Sequence, residues 1–419
     1  MQLTFKNKTA AAISSLALLV NTVTPVFAAV EGSTSNNTTG ADSSNVSEVV
    51  VRQTTTLVQD NNANIDNNIK MNMNTGGNSA NKNTGVGAVA TGDVSFGAAV
   101  KNQANVNMAD LDACGGCNLE INTANAKTGF DSWNKSKVEV LKENTIFQDN
   151  KADVDNNITT DINTGKNSAD KNTTGGYVMT GDAEATAIVE NSLNRNMARM
   201  NGGNGTGAYL SSSNDTTGAD SDNVSTIQVR FANLVTQSNF SDIDNKVDFK
   251  ANTGRNTANK NTGIGEVVTG DVEAGVALDT SANDNFLDFA GCCDIEFVTA
   301  NEKTGADSWN DSKATIDNAL EAFQSNCGYG DSKGSFMLRH HNCEVDNDVF
   351  GNLNTGDNST NKNTNDDIIS GDVDAVVQVE SDTNHNVLGS VTMPSWSNPT
   401  TGNSNGWGWM MMWMFGMNS

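Results

Sequence analysis

Six cysteines and three histidines are the side chains in this chain best suited to chemistry. Cys114 and Cys117 form a Cys-Gly-Gly-Cys run, and Cys292 and Cys293 occupy the equivalent place 178 residues further on. In an exported protein, cysteines this close are expected to form local or intercoil disulfides, and spacing alone does not say which sulfurs join. A thioredoxin-like redox pair or a metal site is the functional alternative. It lacks support because no strand–helix pattern surrounds Cys114. The other two cysteines, Cys327 and Cys343, flank residues 328–342, which hold Arg339, His340 and His341. Zinc fingers place paired ligands about two to four residues apart at each end, whereas these cysteines are 16 apart. A disulfide-closed surface loop is expected, contributing roughly 3 kcal/mol. Such a loop is also where a specific contact would be made. The third histidine, His385, adds little to any imidazole-based active site, and no enzyme is expected.

Carboxylates and aromatics offer two further chemistries. Asp93, Asp182, Asp271 and Asp372 each follow a turn glycine, and with Asp66, Asp155, Asp244 and Asp346 they would supply the clustered oxygens that calcium takes. The calcium-binding nonapeptide pattern GGxGxDxUx is absent, and aspartate suits turns without any metal. No cofactor is therefore expected, with calcium as the alternative. Trp133 and Trp309 both stand in an Asp-Ser-Trp sequence, read as packing over an irregular coil, with sugar stacking as the alternative. After a polar linker at 394–405, the tail at 406–419 is almost wholly apolar and too short to span a membrane as a helix. Its Trp407, Trp409, Trp413 and Phe415 share one parity. As a strand this tail would present an aromatic ridge for assembly or membrane contact; the alternative is a cap folded back over the last coil.

The elements that must position these residues are repeats. Thr39-Gly40-Ala41-Asp42-Ser43 recurs from Thr128, Thr217 and Thr304, at steps of 89, 89 and 87. Asn74-Thr75-Gly76 returns at Asn163, Asn252 and Asn354, and Thr91-Gly92-Asp93 returns at Thr180, Thr269 and Ser370. Four units follow: 39–127, 128–216, 217–303 and 304–393, the last with a Cys-closed insertion at about 326–343. A finer period of 42 to 45 residues in the Thr positions divides each unit into two related halves. Stacking of repeats that bury one another's apolar faces is the architecture such regularity favours.

Each half reads as strand. Val94, Phe96, Ala98, Val100, Ala104, Val106 and Met108 alternate with largely polar residues, the period of a half-buried β-strand. The same register holds at Ala183–Val189, Val272–Leu278 and Val373–Val379. Asn102, Asn105 and Asn107 are assigned to a wet face. Glycine and asparagine in the Asn-Thr-Gly and Thr-Gly-Asp corners are expected to take positive φ. The fold class is thus all-β, a repetitive β-solenoid-like rod with about two coils of roughly 22 residues per half. Tandem small β-sandwich domains are the alternative.

Composition sets the compartment. Fifty acidic against 25 basic residues give a charge of −25, which argues against sequence-independent binding to nucleic acid or anionic lipid. The 63 asparagines beside 3 prolines point to turns and exposed strand faces. Lys6 and Lys8, an apolar run and Val26-Phe27-Ala28 make residues 1–28 a secretory signal peptide, with an N-terminal membrane anchor as the alternative. A short segment at 29–38 precedes the first unit. An extracellular or cell-surface location follows.

Gly76-Gly77-Asn78-Ser79-Ala80 resembles the Gly-x-Asn-x-Ala core of curlin repeats, without the flanking glutamines, and the chain more broadly resembles Asn/Gly/Thr-rich β-repeat proteins of bacterial surfaces. The resemblance implies assembly into a fibre or surface layer. The expected function is a secreted structural protein that self-assembles into an extracellular fibre or sheath, or stands as an adhesive stalk. Its partners would be copies of itself or a cell-surface component, with membrane contact through the tail. A calcium- or carbohydrate-binding surface module is the alternative.

Overall fold

The computed structural model describes residues 8–9, 20–23, 30–112, 118–201, 207–289, 294–327 and 343–389. Every element in them is a strand or turn. Two short strands come first, β1 (Lys8–Thr9) and β2 (Val20–Val23). Coil 1 contains β3 (Val30–Asn37), β4 (Ser44–Asn74), β5 (Val86–Ala90) and β6 (Val94–Asp112). Coil 2 contains β7 (Asn118–Ala126), β8 (Trp133–Asn163), β9 (Gly175–Met179) and β10 (Ala183–Asn201). Coil 3 contains β11 (Gly207–Asp215), β12 (Asp222–Asn252), β13 (Ile264–Val268) and β14 (Val272–Phe289). Coil 4 contains β15 (Ile295–Glu302), β16 (Trp309–Asn326), β17 (Glu344–Asn354), β18 (Asn365–Ile369), β19 (Val373–Thr383) and β20 (Asn386–Leu388).

All strand pairs are parallel and join equivalent strands of successive coils. One sheet runs β3-β7-β11-β15, a second β4-β8-β12 followed by β16 and β17, a third β5-β9-β13-β18, and a fourth β6-β10-β14 followed by β19 and β20. Ser44 pairs with Trp133, Val94 with Ala183, and Ala183 with Val272. The chain is therefore a β-solenoid whose coil is one whole 89-residue unit. The reading of roughly 22 residues per coil is corrected: the two related halves are the outgoing and returning limbs of one flattened coil. No Gly or Pro interrupts residues 44–74, 133–163 or 222–252, so nothing turns those strands early. At about 3.3 Å per residue a 31-residue strand spans about 100 Å, whereas four rungs about 4.8 Å apart stack to only about 19 Å.

The limbs close on each other through apolar side chains. Phe96, Val100, Ala187 and Val276 meet Ile158, Ile162, Val247 and Phe249 across the interior. Leu119, Ile121 and Leu210 meet Val138, Val140 and Ile227. The smaller Ala104, Ala152 and Ala282 sit with Val154, Leu193 and Ile243. Val94, Ala98 and Val100 point inward, as do their equivalents in coils 2 and 3. In coil 4 the equivalents are exposed: Leu278 is 0% accessible and its follower Val379 48%, because no further coil covers that edge.

The asparagines are the chief departure from expectation. Asn102, Asn105 and Asn107 are fully buried, not on a wet face. Asn67 Nδ2 donates to Asn156 Oδ1 at 2.8 Å, Asn156 to Asn245 at 2.7 Å, and Asn245 to Asn347 at 2.8 Å. Asn102 of the opposite limb donates to Asn156 at 3.0 Å and to Asn191 at 2.8 Å, so facing ladders interlock. A second pair of ladders joins Asn61, Asn150 and Asn239 to Asn107, Asn196 and Asn285. An amide both donates and accepts, so a column of identical amides satisfies itself when buried.

Two further expectations are corrected. Strand parity does not persist through Met108: Asn105 has φ 60°, as do Asn194 (56°), Asn283 (65°) and Asn384 (69°). That left-handed residue shifts the phase, so Asn107, Ala109 and Leu111 face inward after it. The glycines of the Asn-Thr-Gly and Thr-Gly-Asp motifs themselves do not take positive φ either, although the adjacent Gly77 does, at 76°. Left-handed corners belong to residues such as Asp42, Lys82, Asp131 and Lys171. The glycines instead permit close approach of backbones. A Cβ on Gly165 would collide with the carbonyl oxygen of Gly254, and one on Gly218 with the backbone of Gly129.

Asn156→Ala removes partners from Asn67, Asn102 and Asn245 together. We expect a loss of about 2 to 3 kcal/mol, from the range for buried groups left unsatisfied. Denaturant unfolding at equal protein concentration measures it, and a stability equal to wild type would show that the ladder is dispensable.

Candidate functional site

Three surfaces carry the residues the sequence singles out: the columns on the strand faces, the corners, and the open edges of coils 1 and 4. Because the register is constant, each exposed residue stands beside its equivalent in the next coil. Asp66, Asp155, Asp244 and Asp346 form one such column. Burial, followed by repulsion from Asp155 and Asp346, pushes the Asp244 carboxyl above its ordinary range. Glu184, Glu273 and Asp374 make a second column, in which burial and then its two neighbours push Glu273 up. Lys101, Glu190, Asp279 and Glu380 make a third. Lys101 Nζ reaches Glu190 at 2.9 Å. Asp279 is pushed up by burial and by Glu380 and Glu190.

Asp93, Asp182, Asp271 and Asp372 lie at a corner and stitch it together. Asp93 Oδ1 accepts the backbone N–H of Asp182 at 3.1 Å, and Asp182 and Asp271 each accept from the next coil at 2.8 Å. Among the described residues no group of three or more His, Cys, Asp or Glu side chains is placed to hold a metal ion. The Asp93 and Asp66 columns occupy different parts of the coil, one at a corner and one within β4 and its equivalents.

Trp133 and Trp309 do not pack over the coil as expected. They are 41% and 57% exposed and belong to the column Ser44, Trp133, Asp222, Trp309. Two rungs separate them, about 10 Å. Phe130, three residues before Trp133, is exposed as well.

Cys327 and Cys343 are joined, with their Cα atoms 5.1 Å apart. The bond closes the insertion where the partner of β12 changes from β16 to β17: Asn239 pairs with Asn326, and Asp242 with Glu344. Asn283 Nδ2 points at Cys343 Sγ from 3.2 Å. Cys114, Cys117, Cys292, Cys293, His340, His341, Trp407, Trp409, Trp413 and Phe415 lie outside the described residues.

An open edge on the first coil, to which the tail would add as a strand, is expected of any solenoid; the apolar edge of coil 4 is not. Coil 4 exposes Ile316, Phe323, Phe350, Ile368, Val373 and Val377. On coil 1, β1 and β2 lie along the outer edge of β6, pairing Lys8 with Val94 and Val20 with Val106. The only signal for edges is the count of units, since any stack has two ends.

The acid columns make stability depend on pH. Asp149, pushed up chiefly by burial, joins Asp244, Glu273 and Asp279 in having a raised folded-state pKa. The folded chain thus holds these protons more tightly than the unfolded chain, and stability falls as pH rises through the raised values. Glu139, held low first by its hydrogen bond from Lys137, acts oppositely and loses its contribution only as pH falls below the ordinary glutamate range. We expect the melting temperature to rise on mild acidification from neutral pH. Asp279→Asn should raise it at pH 7 and flatten the profile; a steeper profile in that variant would contradict the assignment.

No protein-family model, curated protein or solved structure matches the chain.

Proposed function

We propose that this is a non-enzymatic, secreted structural protein whose copies assemble into an extracellular fibre or sheath. The observation that carries the reading is the exposed edge of coil 4. Residues that are core in every preceding coil, Val94, Ala183 and Val272, are followed there by the exposed Val373. An uncovered strand edge with apolar side chains invites pairing with another chain. Export by residues 1–28 places the protein where such a polymer is useful. The aromatic tail, with Trp407, Trp409, Trp413 and Phe415, supplies a separate apolar contact to a cell-surface component or membrane boundary.

A second reading, carbohydrate binding, is favoured by one observation: Trp133 and Trp309 present two exposed indoles in a single column. Sugar rings stack on such faces through their apolar C–H surfaces. A calcium-bound surface module is the third reading and would use the Asp93 and Asp66 columns.

Electron microscopy and fibre diffraction of the exported protein test the proposal. Filaments or sheets with a reflection near 4.8 Å along the growth axis are expected. A monodisperse monomer at high micromolar concentration would overturn it. Binding to an insoluble glucan lost in Trp133→Ala/Trp309→Ala, without assembly, would instead support the carbohydrate reading.

A further inference from the structure

Two glycines have no purpose inside a single copy. In the corner column Gly40, Gly129, Gly218, Gly305, a Cβ on any of the last three would strike the backbone of the preceding coil, yet one on Gly40 meets nothing. In the column Gly76, Gly165, Gly254, Gly356, a Cβ on the first three would strike the following coil, whereas one on Gly356 meets only Asn354 Oδ1 at 3.8 Å. Neither Gly40 nor Gly356 takes a left-handed φ. The first faces outward from coil 1 and the second outward from coil 4. Both are the residue a neighbouring coil would require.

The charges on the two edges also complement each other. The column of Glu48 and Lys137 ends in Lys313 on coil 4. The column of Arg52 ends in Asp317, and that of Lys101 ends in Glu380. Placing coil 4 of one copy beneath coil 1 of another would set Lys313 against Glu48, Asp317 against Arg52 and Glu380 against Lys101. Contacts of the same kind already join coils within the chain: Lys137 with Glu48 at 3.2 Å, Arg230 with Asp317 at 3.6 Å, and Lys101 with Glu190 at 2.9 Å. Same-sign columns, such as Asp66 with Asp346 and Lys82 with Lys362, only repeat a pairing present between coils 1 and 2. One rung departs from the pattern, since Asp366 stands where coils 1 to 3 have Gly87, Gly176 and Gly265.

Resting on the self-assembly reading above, we infer that the assembly junction is coil 4 of one copy stacked in parallel register on coil 1 of a second copy, with polarity set by Lys313–Glu48, Asp317–Arg52 and Glu380–Lys101. β1 and β2 already show that the edge of β6 takes a parallel strand, with partners offset by 86 residues throughout. They lie within the expected signal peptide, so its removal frees that edge for β19 and β20 of the second copy. The aromatic tail is a poorer occupant of coil 4. Fourteen residues in one strand reach about 46 Å, while the 18 residues of β16 alone span about 60 Å.

The test uses the whole gene expressed for export, with the N-terminus of the recovered protein determined. Gly356→Val should keep the wild-type melting temperature, and the pair Lys313→Glu/Asp317→Lys, which also gives up the exposed Arg230–Asp317 contact, should lower it only slightly; both should raise the critical concentration for assembly at least tenfold. Copies carrying Glu48→Lys/Arg52→Glu should assemble with the Lys313→Glu/Asp317→Lys copies and not with themselves. The internal variant Gly165→Val should lower the melting temperature itself. Variants that assemble like wild type would overturn the junction and leave the self-assembly reading standing. Assembly that survives these changes but disappears on deleting residues 406–419 would assign the junction to the tail. A wild-type protein that remains monomeric would overturn both readings.

Discussion

The rung spacing of a parallel, in-register stack governs this molecule. Every residue stands about 4.8 Å from its own equivalent in the next coil, so each position must hold a side chain that tolerates a copy of itself. Aliphatic groups do so by packing. Amides do so by donating to one neighbour while accepting from the other. A carboxylate cannot, because it offers acceptors only and repels its double. The buried asparagine ladders are the chemical answer to that constraint, and the glutamine column obeys it too, with Gln148 donating to Gln59 and Gln237 to Gln148 at 2.8 Å.

The same constraint separates two duties at the corners. Backbones of successive coils come close at Gly165 and Gly218, where a Cβ would intrude. The reversal of chain direction is handled elsewhere, by left-handed residues such as Asp42, Lys82, Asp131 and Lys171, which are exposed. Where acids do stack, the structure either recruits them as backbone acceptors, as at Asp93 and Asp182, or sets a cation at the end of the column, as Lys101 beside Glu190. In the remaining acid columns burial and neighbouring carboxylates raise the proton affinity of the inner members Asp244, Glu273 and Asp279.

Much of the architecture was legible from residue spacing. Repeated Thr-Gly-Asp and Asn-Thr-Gly corners established the unit, and alternation at Val94–Val100 established strands with the correct inward face. The coil length was not legible from the 44-residue period, because related limbs of one coil and successive coils leave the same trace. The uninterrupted run at 44–74, free of Gly and Pro, was the available discriminator. Asparagine was misassigned for a different reason: hydropathy ranks a lone amide, and only a stack of identical amides makes its burial favourable. The parity shift at Asn105 has no sequence signature apart from asparagine's tolerance of the left-handed region. The ends of the stack, by contrast, are properties of an assembly and leave no periodic trace.

One consequence concerns how such a chain reaches its fold. The partner of nearly every backbone group lies 86 to 102 residues away, so no local contact rewards the first turn of the coil. Closing a loop of that length costs about 4 kcal/mol on a (3/2)RT ln n scale before any rung forms, and topologies this non-local fold slowly. Once coil 1 exists, however, its edge is a template on which the next stretch of chain is ordered residue by residue. Nucleation is then the slow event and elongation the fast one, and the four coils need not form in more than one order. A template of this kind does not distinguish a strand of its own chain from the same strand of another, so on the proposed self-assembly folding and polymerisation would be one growth reaction.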